Sequence, residues 1–211
     1  MKKICLAGIL SILFVGISFA QTRIGITAGL NVSNVTGSDV EDSKFKAGFQ
    51  AGLVADFGIT PNFSIMPELL FGQRGFKVET KEGGVSGSFT TTLNYIQLPI
   101  NAAYKFDVGY GAKFFIFAGP YLGYGVSASA KATGKAEGVE ITIPVDEIKF
   151  GSKDDELKPF DFGINAGIGF EYEKIFFKLQ CNPGLSNMLN NSGDYTMKNM
   201  NVAVSAGYFF N

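Results

Sequence analysis

Along most of this chain, apolar and polar or small residues alternate one by one. In residues 23–33, Ile24, Ile26, Ala28, Leu30 and Val32 form one set, and Arg23, Gly25, Thr27, Gly29, Asn31 and Ser33 form the other. Residues 48–57 set Phe49, Ala51, Leu53, Ala55 and Phe57 against Gln50, Gly52, Val54 and Asp56. Residues 62–74 set Phe63, Ile65, Pro67, Leu69 and Phe71 against Ser64, Met66, Glu68, Leu70, Gly72 and Arg74. The same period of two runs through residues 95–106 and 161–172, and through 177–182 and 201–210. In residues 114–127 it opposes Ile116, Ala118, Leu122, Tyr124 and Val126 to Gly119, Tyr121, Gly123, Gly125 and Ser127. A period of two is that of a β-strand with two unlike faces. Eight strands are predicted, most of them about ten residues or longer. That length suits a tilted membrane strand better than a soluble one of about 5–6 residues.

The connections alternate long and short. Residues 36–45, 77–92, 128–160 and 186–198 are long, whereas 58–61, 107–113 and 173–174 are short. Outer-membrane barrels have brief periplasmic turns and long outer loops. Eight strands put both chain ends on the turn side. The fold class expected is therefore all-β: an eight-stranded antiparallel up-and-down transmembrane β-barrel. Proline cannot donate to a sheet ladder and a closed barrel has no edge, so Pro67, Pro99 and Pro120 inside strands stand against this fold unless bulges absorb them.

Composition decides which face looks out. The chain holds 27 glycines and 21 phenylalanines among 211 residues, with no tryptophan and no histidine. The second face is mostly glycine, alanine and serine, a poor solvent coat but a good filling for a narrow barrel. Aromatics gather near strand ends as Phe57, Phe63, Tyr104, Phe106, Phe162, Phe170, Tyr172, Phe209 and Phe210, the pattern of interfacial girdles. The alternative is a soluble, periplasmic, lipocalin-like ligand-binding barrel with its apolar face inward. In the membrane reading the inward face carries Asp56, Glu68, Arg74, Lys105, Glu171 and Lys178. Buried charges are costly unless paired, so these six are expected to pair across the lumen. Eight strands leave room only for side chains, which argues against an open pore.

The N-terminus supplies the targeting signal. Lys2 and Lys3 precede an apolar run over residues 4–17, and Ser18-Phe19-Ala20 provides small residues for cleavage before Gln21. Residues 1–20 are thus expected to be a secretory signal peptide and residues 21–211 the outer-membrane barrel domain. Cys5 leaves with the signal, and Cys181 remains as a single thiol facing lipid.

Enzymatic chemistry has little to build on. Without histidine there is no Ser-His-Asp arrangement, and Cys181 has no base beside it. Gly119 to Gly125 lie in a strand with no following helix, so they are no phosphate loop. The pair Gly83-Gly84 reads as loop flexibility. The loop carboxylates Asp39, Glu41, Asp42, Asp154, Asp155 and Glu156 lack EF-hand spacing and read as solvated charge. Net charge is −1 with no basic stripe, which excludes a nucleic-acid partner. No enzyme activity and no cofactor are expected. The expected partners are outer-membrane lipid and, through the outer loops, envelope or secretion proteins; a monomer is expected. Residues 139–144 are expected to extend a hairpin above the membrane and to favour partner contact.

Several runs carry a family likeness. They are Ile26-Thr27-Ala28-Gly29-Leu30-Asn31, Pro67-Glu68-Leu69-Leu70-Phe71 and Tyr95-Ile96-Gln97-Leu98-Pro99-Ile100, followed by Ala118-Gly119-Pro120-Tyr121-Leu122-Gly123, Gly167-Ile168-Gly169-Phe170-Glu171, Gly184-Leu185-Ser186-Asn187 and Gly207-Tyr208-Phe209-Phe210. In this order and spacing the chain, from about Arg23 to its end, resembles the PorT-like outer-membrane β-barrel proteins common in Bacteroidota. The resemblance implies the barrel architecture and admits the in-strand prolines. It carries no catalytic motif. It also implies a second functional reading, an accessory factor of protein secretion or envelope assembly. Such barrels commonly end in an aromatic residue, whereas here Asn211 follows Phe210.

Overall fold

The computed structural model describes residues 22–38, 43–82, 85–136, 139–145, 148–153, 156–190, 193 and 195–211. The signal segment 1–20 lies outside them, as do Gly83-Gly84 and the loop carboxylates Asp39, Glu41, Asp42, Asp154 and Asp155. The strands are β1 (Thr22–Gly37), β2 (Ser43–Gly58), β3 (Phe63–Glu82), β4 (Val85–Gly109), β5 (Ala112–Ala136), β6 (Val139–Val145), β7 (Phe160–Tyr172), β8 (Ile175–Pro183) and β9 (Met197–Phe209). They pair antiparallel in the order β4-β3-β2-β1-β9-β8-β7-β5, and a further β4–β5 pairing closes the ring. Eight strands form the barrel, while β6 pairs with β5 alone, from Ala130↔Val145 to Ala136↔Val139.

The alternation seen in the sequence sorts the two faces. On the outward face Leu30 is 75% exposed, and Ile24, Leu53, Ile116, Leu122 and Val204 stand out beside it. On the inward face Asn165 is 0% exposed, and Gln50, Asn101 and Gln180 are equally sequestered. An apolar coat over a polar interior is the reverse of a lipocalin-like barrel, so the soluble alternative fails on polarity.

Part of the glycine and aromatic content is explained by cross-strand pairs. Phe115 is paired with Gly169, Phe117 with Gly167, Tyr121 with Gly163 and Phe176 with Gly207. In each pair the aromatic ring lies inside the barrel over the glycine opposite. A Cβ added at Gly169 would sit 2.2 Å from the Phe115 ring, and one at Gly207 would sit 2.1 Å from the Phe176 ring. Only a missing side chain lets a ring lie flat across so narrow a lumen.

The structure corrects several expectations. Residues 77–92 are not a loop: β3 and β4 continue as a paired hairpin up to Glu82↔Val85, and β5 likewise continues through 128–136. These extensions rise past the apolar band, so they lost the outward apolar signature by which strands were recognised. Ser127 faces outward, because a register shift between Asn94 and Tyr95 puts an extra β5 residue into the wall and flips the parity beyond it. Phe209 is fully buried in the lumen rather than set in a girdle. The prolines need no bulge. Pro67↔Ile100, Pro99↔Tyr121 and Pro120↔Ile164 all keep the flanking register, and the shifts fall elsewhere, at Phe45/Gln50, Asn94/Tyr95 and Asp107/Gly109.

The turn side is tight. Between the paired Gly109 and Ala112, Tyr110 (φ 54°) and Gly111 (φ 77°) both take the left-handed conformation of a two-residue type I′ hairpin. The opposite rim is uneven. β4 and β5 have 25 residues each, whereas β8 has 9, so one side of the wall stands far above the other.

Candidate functional site

The lumen is filled in layers. At the turn-side mouth, Arg23 on β1 reaches Asp56 Oδ2 at 2.5 Å and Glu171 Oε1 at 2.6 Å. Lys105 on β4 also bonds Asp56 Oδ2 and lies 3.5 Å from Glu171 Oε2. Two cations thus face two carboxylates, and the Arg23 guanidinium also covers the Phe209 ring at 4.2 Å. Asp56 Oδ1 and Ser64 Oγ have no hydrogen-bond partner. Asp56 and Ser64 border a cavity of about 360 Å³ at this mouth, together with Thr22, Lys105 and Lys113.

Above this layer an apolar stopper of Val54, Met66, Ala103, Phe115, Phe176 and Phe209 crosses the lumen. Next comes an isolated ion pair. The Lys178 ammonium donates to both oxygens of Glu68 at 2.6 Å, and the Asn101 amide donates to Glu68 Oε1 at 3.2 Å. Both charged residues are 2% exposed. Phe117 and Phe176 flank the ammonium, each ring centre 5.7 Å away. β3 and β8, which carry the pair, stand opposite each other in the ring, with β2, β1 and β9 between them on one side and β4, β5 and β7 on the other. Asparagines then form a belt: Asn165 donates to Asn101, Asn182 to Asn165, Asn201 to Asn182 and Asn31 to Asn201, over 2.6–3.1 Å.

Toward the outer rim, Arg74 donates to Asp161 Oδ2 and to the Tyr121 hydroxyl at 3.1 Å each, and to Gln97 Oε1 at 2.7 Å. Ser186 and Asn199 donate to the Asp161 carboxylate at 2.5 and 3.0 Å. The outer mouth is stopped by Val35, Leu93, Tyr95 and Met188, with Ile148, Phe150 and Leu157 packed against them from the β6–β7 connection.

All six charges singled out in the sequence therefore point into the lumen, in three separate clusters rather than one network. Asp56, Lys105 and Glu171 share the lower one. Glu68 and Lys178 pair in the middle. Arg74 stands apart from the other five. Sequence reasoning omitted Arg23 and Asp161, which complete the lower and upper clusters. Alternation had set both on the polar face, but nothing in one strand's sequence tells which charges a closed ring brings together. Among the described residues no group of three or more His, Cys, Asp or Glu side chains could hold a metal ion. The one described cysteine, Cys181, is unpaired and half-buried on the outward face.

On the rim, Lys44 and Lys77 hold Glu79 at 2.5 and 2.7 Å. Hydrogen bonds from Lys44, then Lys77, pull this half-buried carboxyl down to about 2.

A family described as outer membrane protein beta-barrel domain has a model that matches residues 19–190. No curated protein sequence matches the chain. Among solved structures, the chain is similar to Ail, the attachment invasion locus protein of Yersinia pestis, at 14% identity and TM-score 0.42, over 90% of this chain and 99% of that one. It is similar to Neisserial surface protein A at 12% identity and TM-score 0.47, over 89% and 97%. The outer membrane protein OprG from Pseudomonas aeruginosa follows at 12% and 0.45, over 90% and 96%.

Proposed function

The chain belongs to the outer membrane protein beta-barrel domain family, and from that premise we propose that it is a sealed, non-enzymatic barrel that acts through its outer sheet and loops. One observation carries this reading: among the described residues, paired charges, the aromatic stopper and the outer plug occupy successive levels of the lumen and leave no continuous path between them. What remains available to partners is the tall outer part of β3 to β6 and its connections, held by a rigid wall. Residues 1–20 serve as the cleaved signal, and N-terminal sequencing of the mature protein should begin at Gln21.

The test combines two measurements on the membrane-extracted protein. An unheated sample should migrate differently from a boiled one on a denaturing gel, as an intact barrel does. Planar bilayers containing the folded protein should show no stepwise conductance. A heat-stable migration, or stable ion-conducting steps, would refute the sealed membrane barrel.

A second reading is an accessory role in protein secretion or envelope assembly. The ordered PorT-like runs support it. Photo-crosslinkers placed on Ile141 or Tyr195 should then capture envelope proteins in whole cells, and capture of none would remove this reading.

A further inference from the structure

Above the apolar band the wall keeps its strands but changes its coat. The band ends where Asn94 on β4 donates to Ser127 on β5 at 2.8 Å on the outward face. Beyond that level β3, β4, β5 and β6 continue as a four-stranded sheet whose outward rows are polar. The lower row runs Lys44↔Lys77, Lys77↔Thr90 and Thr90↔Lys131, from β2 to β5. The next runs Glu79↔Ser88, Ser88↔Thr133 and Thr133↔Thr142, from β3 to β6. A third row pairs Ser86 with Lys135. Directly opposed residues share a face of a sheet, so all three rows look outward, and Val78, Phe89, Ala132 and Ile143 occupy the other face.

The lower row is cationic. Lys44 and Lys77 oppose each other directly, an arrangement that repels unless an anion sits between them. Glu79 takes both ammonium groups, and two cations on one carboxylate leave positive charge in excess. Lys131 is exposed and has no ion pair among the described residues. Thr90 stands between Lys77 and Lys131, which are therefore two strand spacings, about 10 Å, apart. Two long side chains close that gap on a single phosphate. Thr90 lies four residues beyond Asn94. At ~3.3 Å per residue and a strand tilt of ~40°, the row stands about 10 Å above the edge of the apolar band. A headgroup layer fills about the first 5–8 Å above the hydrocarbon, and lysine stems bend to place their ammonium groups in such a layer. Higher up, Ser86, Ser88, Thr133 and Lys135 join Lys77 and Glu79 around a polar concavity of about 240 Å³. Below the row, Phe71↔Ile96 and Ile96↔Tyr124 continue the same outward face as lipid-facing surface.

We infer that this outward face docks the head group of a phosphorylated glycolipid of the outer leaflet. Its phosphate lies between Lys77 and Lys131 beside the Thr90 hydroxyl. Its sugar stands over the Ser88 and Thr133 hydroxyls at the polar concavity, and its acyl chains lie below on Phe71, Ile96 and Tyr124. Each part of one amphiphile thus meets matching chemistry along one continuous face. A soluble polyanion would match the lysines alone. The inference rests on the barrel's lying in the outer membrane and is independent of the sealing of its lumen.

The test uses the folded barrel in phosphatidylcholine nanodiscs that contain, as the minor lipid, a bisphosphorylated disaccharide glycolipid with a diazirine on its sugar. Both leaflets hold the probe, so both rims of the barrel can meet it. After irradiation, labels are mapped by mass spectrometry at Ser88, Thr90 and Lys131 and at Tyr110 on the turn side. A phosphatidylcholine with a diazirine in its acyl chain reports insertion separately through Leu98 and Ile116. The expected result is strong labelling at the outer face over Tyr110, lowered about fivefold by Lys131→Gln and retained in Lys131→Arg. Lys131 has no ion pair to lose, so the gel shift and the acyl-chain labels should stay as in the parent. Equal labelling of the two rims, or labelling that Lys131→Gln leaves unchanged, overturns the docking face. Equal labelling by the dephosphorylated glycolipid overturns the role given to phosphate. Equal labelling by phosphatidic acid with a head-group diazirine overturns the sugar contact. Absence of the Leu98 and Ile116 labels overturns the membrane placement itself, and the docking with it.

Discussion

Replacing Lys178 by methionine keeps most of the side-chain volume and removes the charge, which isolates the electrostatic part of the mid-lumen pair. The wild-type ammonium meets both Glu68 oxygens at 2.6 Å, and the other bond to this carboxylate is the Asn101 amide at 3.2 Å. The variant leaves a buried carboxylate with one neutral donor. Breaking a buried pair in this way costs about 3–5 kcal/mol, since the remaining charge stays desolvated. The lower cluster provides the comparison. Lys105→Met leaves Arg23 bonded to Asp56 and Glu171 at 2.5 and 2.6 Å beside an open cavity, so the expected loss is only about 1–2 kcal/mol. The double variant Glu68→Met/Lys178→Met removes both charges and should return to within about 1 kcal/mol of the parent. Denaturant unfolding of the barrel in detergent micelles, followed by tyrosine fluorescence and the gel shift, gives all three values. If Lys105→Met costs as much as Lys178→Met, or the double variant is as unstable as Lys178→Met, the reasoning from isolation of the pair is wrong.

Gly169→Ala should destabilise the barrel by about 1–3 kcal/mol, because its methyl would meet the Phe115 ring at 2.2 Å; adding Phe115→Leu should recover part of the loss in the same unfolding assay. Gly111→Val forces a β-branched side chain into φ 77° and should cost about 1–2 kcal/mol, with the strand wall unchanged by circular dichroism. Glu79 should keep its charge down to about pH 2, since two ammonium groups favour the ionised form; an NMR titration should show this. In Lys44→Met/Lys77→Met the midpoint should rise toward the ordinary 4.5, and a midpoint that stays low would show that the two lysines are not the cause.

Which residues face inward was legible from single strands, because a period of two needs no knowledge of neighbours. Asp56, Glu68, Arg74, Lys105, Glu171 and Lys178 were placed on the lumen side on that basis alone. Their partners were not legible. Arg74 meets Asp161 from β7, and Glu68 meets Lys178 from β8, pairings that depend on register and on closure of the ring. Ser127 was set on the wrong face because one bulge in β5 shifts every later residue by one, and residues 114–127 read continuously across it. Phe209 was mistaken for a girdle residue because its neighbours Tyr208 and Phe210 are also aromatic, although the period of two through 201–210 sets it on the inward face with Gly207. The outer strands at 77–82 and 85–92 were missed for a different reason. Alternation there inverts and thins to glycine, serine and threonine, so the pattern that marks a lipid-facing strand is absent while the backbone pairing continues.

The pairing of opposite strands across the lumen also bears on how the barrel enters a membrane. Neighbouring hairpins can form their backbone ladders one after another, but Glu68 and Lys178 are 110 residues apart and come together only when β8 stands across from β3. Until the first and last strands zip together, through Ala28↔Ala206 and the registers on either side, these charges lie in an open sheet that must stay wet. A half-built wall therefore cannot settle fully into the bilayer. Insertion and circularisation become one cooperative event, and the polar filling serves as an internal clasp that rewards only the completed circle.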